Sequence, residues 1–192
     1  MADRKATKSV GEFWVCCKLA MNGWAPALTR DGLERTDILA TRNEEPYDAQ
    51  AINVQVKTSR DERWPLNPER IGADRNGGEW FVLVAWHEDT QTLDSYVIPR
   101  DHVSAGAWLA HMAWLTDPTV PKGQRNAGPD RARIGLDVFG AYKDRWDLLL
   151  KPTDQAPILL PHWCHEVALG KDDVRAKLPD WHPWAGDNLP EW

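Results

Sequence analysis

Apolar residues along the chain recur with two periods, and the order of those periods predicts helix, strands, then helix. Val10, Phe13, Trp14, Cys17 and Met21 follow the i, i+3, i+4 spacing of a helix packed along one face. Ser9, with Glu12 three positions on, makes a capping box, and Asn22-Gly23 makes a stop, so a helix is predicted over Ser9–Asn22. Two β-like runs, Trp24–Arg30 and Leu33–Thr41, flank Asp31-Gly32, the strongest short hairpin signal. After a polar loop with Glu44, Glu45 and Pro46, Ile52, Val54 and Val56 alternate with Asn53, Gln55 and Lys57. That pattern predicts a strand over Ala51–Thr58 with one buried face.

Residues 59–78 carry Arg60, Arg63, Arg70 and Arg75 with two Pro and a Gly-Gly, and read as a long loop. Glu79–Trp86 is a nearly continuous apolar run, the mark of a central strand, and Leu93–Ile98 is a further strand ended by Pro99. Helices are predicted over Asp101–Leu115 and Asp137–Leu150, the second with Phe139, Tyr142, Trp146 and Leu149 on one stripe. The prolines and glycines of residues 116–130 make the loop between them. From Lys151 onward six Pro and four Trp with little periodicity describe an irregular extension, packed on the domain or on a partner. The expected organisation is a flexible basic arm (1–8), one α/β (α+β) domain (9–150) and a Pro/Trp-rich C-terminal extension (151–192).

Composition narrows the class. The 192 residues hold 23 Lys+Arg against 29 Asp+Glu, a formal net charge of −6, with 42% hydrophobic residues. These values exclude a disordered chain and a collagen-like repeat. Of three cysteines, Cys16 and Cys17 are adjacent, which argues against a disulfide framework and fits a reducing compartment. No apolar run approaches the roughly 18 residues of a membrane span, and MADRKATKSV lacks the apolar stretch of a secretory signal. A cytoplasmic protein is expected. The negative charge argues against coating nucleic acid by bulk electrostatics, but leaves room for a local basic track beside an acidic site.

The chemistry concentrates in four residues: Glu12 on the first helix, Asp37 early in the second strand, and Gln55 and Lys57 on the third. Hydrolysing a phosphodiester requires neutralising the phosphate and generating hydroxide near neutral pH, and Mg²⁺ (or Mn²⁺) held by oxygen ligands does both. Asp37 would be the main ligand, with the Gln55 side-chain oxygen and the Val56 backbone carbonyl as neutral ones. Lys57 would orient or help deprotonate the water, and Glu12 would hold a metal-bound water or a second ion.

Gly11-Glu12, then Thr36-Asp37-Ile38-Leu39, then Gln55-Val56-Lys57-Thr58-Ser59 resembles the PD-(D/E)XK nuclease superfamily. The Gln-x-Lys form is similar to the Mrr-type branch and to some homing endonucleases, and Holliday-junction resolvases show the same order with Glu for Gln. The resemblance covers about residues 9–100. It implies a restriction-endonuclease-like core, an αβββαβ-type mixed sheet flanked by helices, Mg²⁺-dependent DNA cleavage, and frequently a homodimer. Thr36 stands where the superfamily name has Pro, Gln55 removes one negative charge, and the segment between Thr58 and Trp80 lacks a clear core-helix pattern.

Residues 119–136 carry Lys122, Arg125, Arg131 and Arg133 against Asp130 alone, and Arg60 and Arg63 follow the third strand. All six suit contacts to a DNA backbone with little sequence readout. Trp64, in the arginine-bearing loop, could stack on an unpaired base. Trp14, Trp80, Trp86 and Trp146 are expected in the core, and Trp181, Trp184 and Trp192 on a docking surface for a protein partner or a second copy. His162-Trp163-Cys164-His165 has metal-ligand types but no second pair, and reads as a packed turn. The alternative function is a non-catalytic DNA- or protein-binding module of the same fold, acting in defence or counter-defence against mobile DNA.

Overall fold

A computed structural model describes residues 4–30, 35–42, 50–121, 123–170 and 177–192. The chain forms two compact units, each assembled from three stretches. The first comprises Met1–Glu62, Asp74–Pro99 and Tyr142–Ala156, and the second Arg63–Ala73, Arg100–Ala141 and Pro157–Trp192.

The first unit is a five-stranded mixed sheet with a long helix on one face. Helix α1 (Arg4–Met21) leads into β1 (Ala25–Leu28), β2 (Ile38–Arg42) and β3 (Gln50–Ser59), an antiparallel meander. In the second unit follow β4 (Trp64–Pro65) and the one-turn helix α2 (Pro68–Ile71). The first unit resumes with β5 (Glu79–His87) and β6 (Thr92–Pro99). The sheet order is β1-β2-β3-β5-β6, with β3 and β5 parallel and the other pairs antiparallel. The fold class is therefore mixed α/β, and Glu79–His87 is an interior strand, buried from Glu79 through Ala85 as its apolar run requires. The described parts of the first two runs pair antiparallel as a hairpin would, while Asp31-Gly32 and the Glu44–Pro46 loop lie outside the described residues.

Register fixes which side chains share a face. Trp14 Nε1 on α1 donates to Ser95 Oγ at 2.8 Å, and Ser95 is opposite Val84, which is opposite Thr58. Thr58 in turn lies against Gly11, where a Cβ would overlap its Oγ1 and come within 3.1 Å of its Cβ. That row faces α1. By the two-residue period, Val54, Val56, Trp80 and Val82 face α1 too, and Gln55, Lys57, Phe81 and Leu83 face the other way.

The helix differs from expectation in two respects. It begins at Arg4, so Ser9 lies inside it and the capping box with Glu12 does not form. Its buried line is Gly11, Val15 and Leu19, whereas Phe13 and Met21 are 63% and 74% exposed and Cys17 is exposed as well. The smallest residue sets the contact, because only Gly11 lets the helix backbone approach β3. Gly11→Ala is expected to destabilise the chain despite the ~1 kcal/mol gain in helix propensity, since overpacking costs about 1–3 kcal/mol. Thr58→Ala added to it should restore most of the loss in a thermal melt, and a Gly11→Ala variant as stable as the parent would refute the contact.

The second unit gathers α3 (Arg100–Leu115), β7 (Arg133–Ile134), α4 (Leu136–Phe139) and α5 (His162–Leu169), with β4 and β7 forming a two-stranded ribbon. Arg100 is buried on α3 and donates to the Ile71 carbonyl at 2.8 Å. The helix expected over Asp137–Leu150 is broken. It survives as α4, which ends at Phe139, and as two short 3₁₀ turns with Asp144 at φ 52° between them. Its predicted stripe, Phe139, Tyr142, Trp146 and Leu149, is nevertheless buried. Residues 59–78 are not simply a loop, since they supply β4 and α2, the latter capped by Asn67 accepting from Glu69 N and Arg70 N. Within the C-terminal stretch α5 is regular, and Trp184 packs on Trp192 at 5.6 Å between ring centroids. No helix among the described residues is long and apolar enough to cross a membrane.

Candidate functional site

Asp37 stands one residue before β2, and the chain around it is tied down from several directions. Arg35, at φ 70°, donates through Nη2 to Glu79 Oε2 at 2.8 Å, a nearly buried ion pair that anchors the approach to Asp37. Thr36 is buried, and its carbonyl accepts from Thr29 Oγ1 at 2.7 Å. Asp37 donates its own amide to the Val54 carbonyl at 2.9 Å and accepts at its carbonyl from the Thr29 amide, also at 2.9 Å. Its carboxylate Oδ2 accepts from the Val56 amide at 2.8 Å. The side chain thereby supplies a rung where β2 has not yet begun, and an unmet amide there would be costly.

The other oxygen of Asp37 faces a cation. Lys8 Nζ lies 3.8 Å from Asp37 Oδ1 and 3.2 Å from Glu12 Oε1, so two carboxylates from different elements converge on one ammonium. Glu12 and Asp37 side chains keep only 15% and 20% of their exposure, whereas Lys8 keeps 51%. Burial, and then the Glu12 carboxylate, push the neighbouring Cys16 thiol above its usual pKa. Glu12 is thus paired with Lys8, which also reaches Asp37, and is not the partner of a helix cap.

Gln55 and Lys57 flank this point on β3. Both are half-buried and project to the face away from α1, beside Phe81 and Leu83 of the parallel neighbour. On the same face Leu39 of β2, opposite Asn53, is 45% exposed, whereas Phe81 and Leu83 are fully buried, so this face is open toward β2 and covered toward β5. Val56 points into the α1 side, and its backbone turns to the β2 edge. In an extended strand a residue's N–H and C=O project to the same side, so the Val56 carbonyl opens beside Asp37. The structure therefore unites Glu12, Asp37 and the Val56 backbone. Gln55 and Lys57 lie on the opposite face of β3.

The residues expected to contact DNA fall into separate settings. Arg60 lies over the Trp86 ring at 4.5 Å and pairs with Glu88 at 3.2 Å. Arg63, Arg131 and Arg133 are exposed in the second unit and line one cleft. Arg125 donates to the Trp114 carbonyl at 2.6 Å and pairs with Asp117 at 3.1 Å. Lys122 lies outside the described residues. Trp64 is fully buried, so its ring offers no platform for a base, and the stacking role expected of it is withdrawn. Of the tryptophans expected in the core, Trp80 and Trp146 are buried and Trp14 and Trp86 only half so.

His162–His165 lie on α5 and not in a turn, Cys164 is fully buried, and burial first, with Asp137 adding, pushes its thiol up to about 12. Among the described residues no group of three or more His, Cys, Asp and Glu could hold one ion. Two carboxylates with neutral oxygens make a smaller set, of the kind Mg²⁺ accepts.

The sequence reading missed Lys8 and the Arg35–Glu79 pair. Lys8 could have been found from its i, i+4 relation to Glu12 once the helix was extended, but Arg35 and Glu79 are 44 residues apart and give no local signal. No family model, no curated protein and no solved structure matches this chain.

Proposed function

We propose that this protein is a metal-dependent DNA endonuclease with a restriction-endonuclease-like core of the PD-(D/E)XK type. The observation that carries the reading is the convergence of Glu12 and Asp37 on a single cationic group beside the Gln55-Val56-Lys57 strand. The order of elements supports it: a leading helix, a three-stranded meander and a strand parallel to the third, although only one-turn α2 separates those two strands.

The donor set suits Mg²⁺ or Mn²⁺. Two carboxylates and an edge carbonyl are hard oxygen ligands in the number such ions take from protein, with water completing the shell. Lys8, half-exposed on a flexible stem, is a displaceable occupant of that position. When bound, the cation would neutralise phosphate charge and acidify a water.

Asp37 would be the main ligand, with Glu12 from the helix side and Gln55 and the Val56 carbonyl from the strand. Lys57, half-buried on β3, would donate to the phosphate oxygens and hold the attacking water. Hydrolysis puts the water oxygen on phosphorus, breaks the phosphorus–oxygen bond to the sugar, and delivers a proton to the departing oxygen. Within the first unit Arg60 would contact the DNA backbone. A homodimer and a cytoplasmic setting belong to the same reading.

The test is incubation of the full chain with supercoiled, linear, branched and single-stranded DNA, in millimolar Mg²⁺ and in EDTA. Cleavage of at least one form, only with metal, is expected. No cleavage of any form in Mg²⁺ or Mn²⁺ would overturn the reading. One observation favours a second reading, a non-catalytic DNA- or protein-binding module: Lys8 already neutralises the acids that a metal would bridge. Titration with Mn²⁺ separates the two, because the enzyme binds it through Asp37 and the binding module does not.

A further inference from the structure

The second unit contains a cleft of about 340 Å³ that the chemistry at Asp37 does not use. Its walls include Arg63, Arg131 and Arg133, with His111 and Trp114 from α3 and a single carboxylate, Asp137. The β4–β7 ribbon explains why the arginines gather. Trp64 pairs with Ile134 and both are buried, while Pro65 pairs with Arg133 and both are exposed. Alternation carries Arg63 to the outer side with Arg133, and Arg131 ends the 3₁₀ turn just before β7. Three guanidiniums around one carboxylate leave the cleft positive.

Its aromatic wall is pre-set. Trp114 is 41% exposed at the end of α3, and Arg125 lies 5.1 Å from its ring centroid while donating to the Trp114 backbone. His111 is fixed by its contact with the Ala127 carbonyl at 2.9 Å, and its ring centroid is 5.5 Å from that of Trp114.

Guanidinium forks match phosphate oxygens, and an exposed indole stacks on any base. A volume of this order holds one nucleotide-sized group. A base inside a duplex is out of reach of such an indole, whereas an unpaired one is free to enter. We infer that this cleft binds a nucleotide of single-stranded DNA, its phosphate on Arg63, Arg131 and Arg133 and its base against Trp114. The choice of DNA rests on the nuclease reading, and the site itself does not.

The experiment is fluorescence anisotropy of the full chain with labelled oligothymidylate and with a duplex of the same length, in EDTA, over a range of salt. The single strand should bind at least tenfold more tightly than the duplex. Arg131→Glu with Arg133→Glu should weaken binding more than tenfold and lower the salt slope by about 0.7, the value for one phosphate of a single strand. Trp114→Ala should weaken it about tenfold, within the range for one stacked base, and leave the slope unchanged. Melting curves establish that each variant is folded. Duplex binding equal to or tighter than single-strand binding, or variants that bind as the parent does, would overturn the site even if Mg²⁺ brings cleavage. Single-strand preference reduced by the variants supports it even if no DNA is cut, in which case the nuclease reading alone fails.

Discussion

Lys57→Ala should lose at least a hundredfold in Mg²⁺-dependent DNA cleavage while the protein stays folded. A positioned proton-transfer group contributes typically 10²–10⁴-fold. Among the described residues Lys57 has no ion-pair partner, and it is half-exposed, so its removal should change stability by no more than about 0.5 kcal/mol. A variant that cuts as fast as the parent would remove Lys57 from the mechanism. Asp37 calls for a paired comparison because it has two jobs. Asp37→Asn keeps an oxygen for the Val56 amide but loses the charge, so cleavage and Mn²⁺ affinity should collapse with the melting midpoint nearly unchanged. Asp37→Ala leaves that amide unmet and should cost a further ~1–3 kcal/mol. If Asn binds Mn²⁺ as tightly as Asp does, the carboxylate is only a strand fastening.

Acid should weaken the second unit well above the carboxylate range. Burial first, with His182 adding, holds His102 at about 3, and burial holds His182 at about 4 even though its Nε2 lies 3.1 Å from the Asp101 carbonyl. Both rings are therefore neutral when folded and take up protons near pH 6.5 when unfolded. Their stabilisation is complete above that pH and is lost as pH falls toward the folded values. From pH 7.5 to pH 5 each histidine removes about 2 kcal/mol, roughly 4 kcal/mol together. Urea unfolding at pH 7.5 and pH 5 checks this, and equal stability at the two would contradict the burial of both rings. His102→Gln with His182→Gln should flatten the profile.

The sheet was legible because alternation in Ile52–Lys57 and continuity in Trp80–Ala85 follow directly from having one covered face or two. The phase of α1 was not. Hydrophobicity favoured Phe13, Cys17 and Met21, but the packing line runs through Gly11, Val15 and Leu19 because proximity, not side-chain size, decides which face meets β3. The helix at Asp137–Leu150 stops after Phe139 and gives way to 3₁₀ turns on either side of a positive φ at Asp144, changes that apolar periodicity does not register. Of the candidate site, the order Glu12, Asp37, Gln55, Lys57 was readable from strand and helix patterns. The engagement of Lys8 between the acids, and the anchoring of Asp37 through Arg35 and Glu79, depend on tertiary approach and left no trace in spacing. Trp64 was misjudged because its arginine neighbours suggested an open loop, whereas pairing with Ile134 draws it inward.

The backbone passes between its two units five times. No single scission can release either one as a continuous fragment. A chain ended after Ala156 would strip the second unit of α5, His182 and Trp184 and lay bare the α3 face to which they are joined. Limited proteolysis should accordingly yield nicked but associated pieces, and dissection of this protein has to proceed by point substitution.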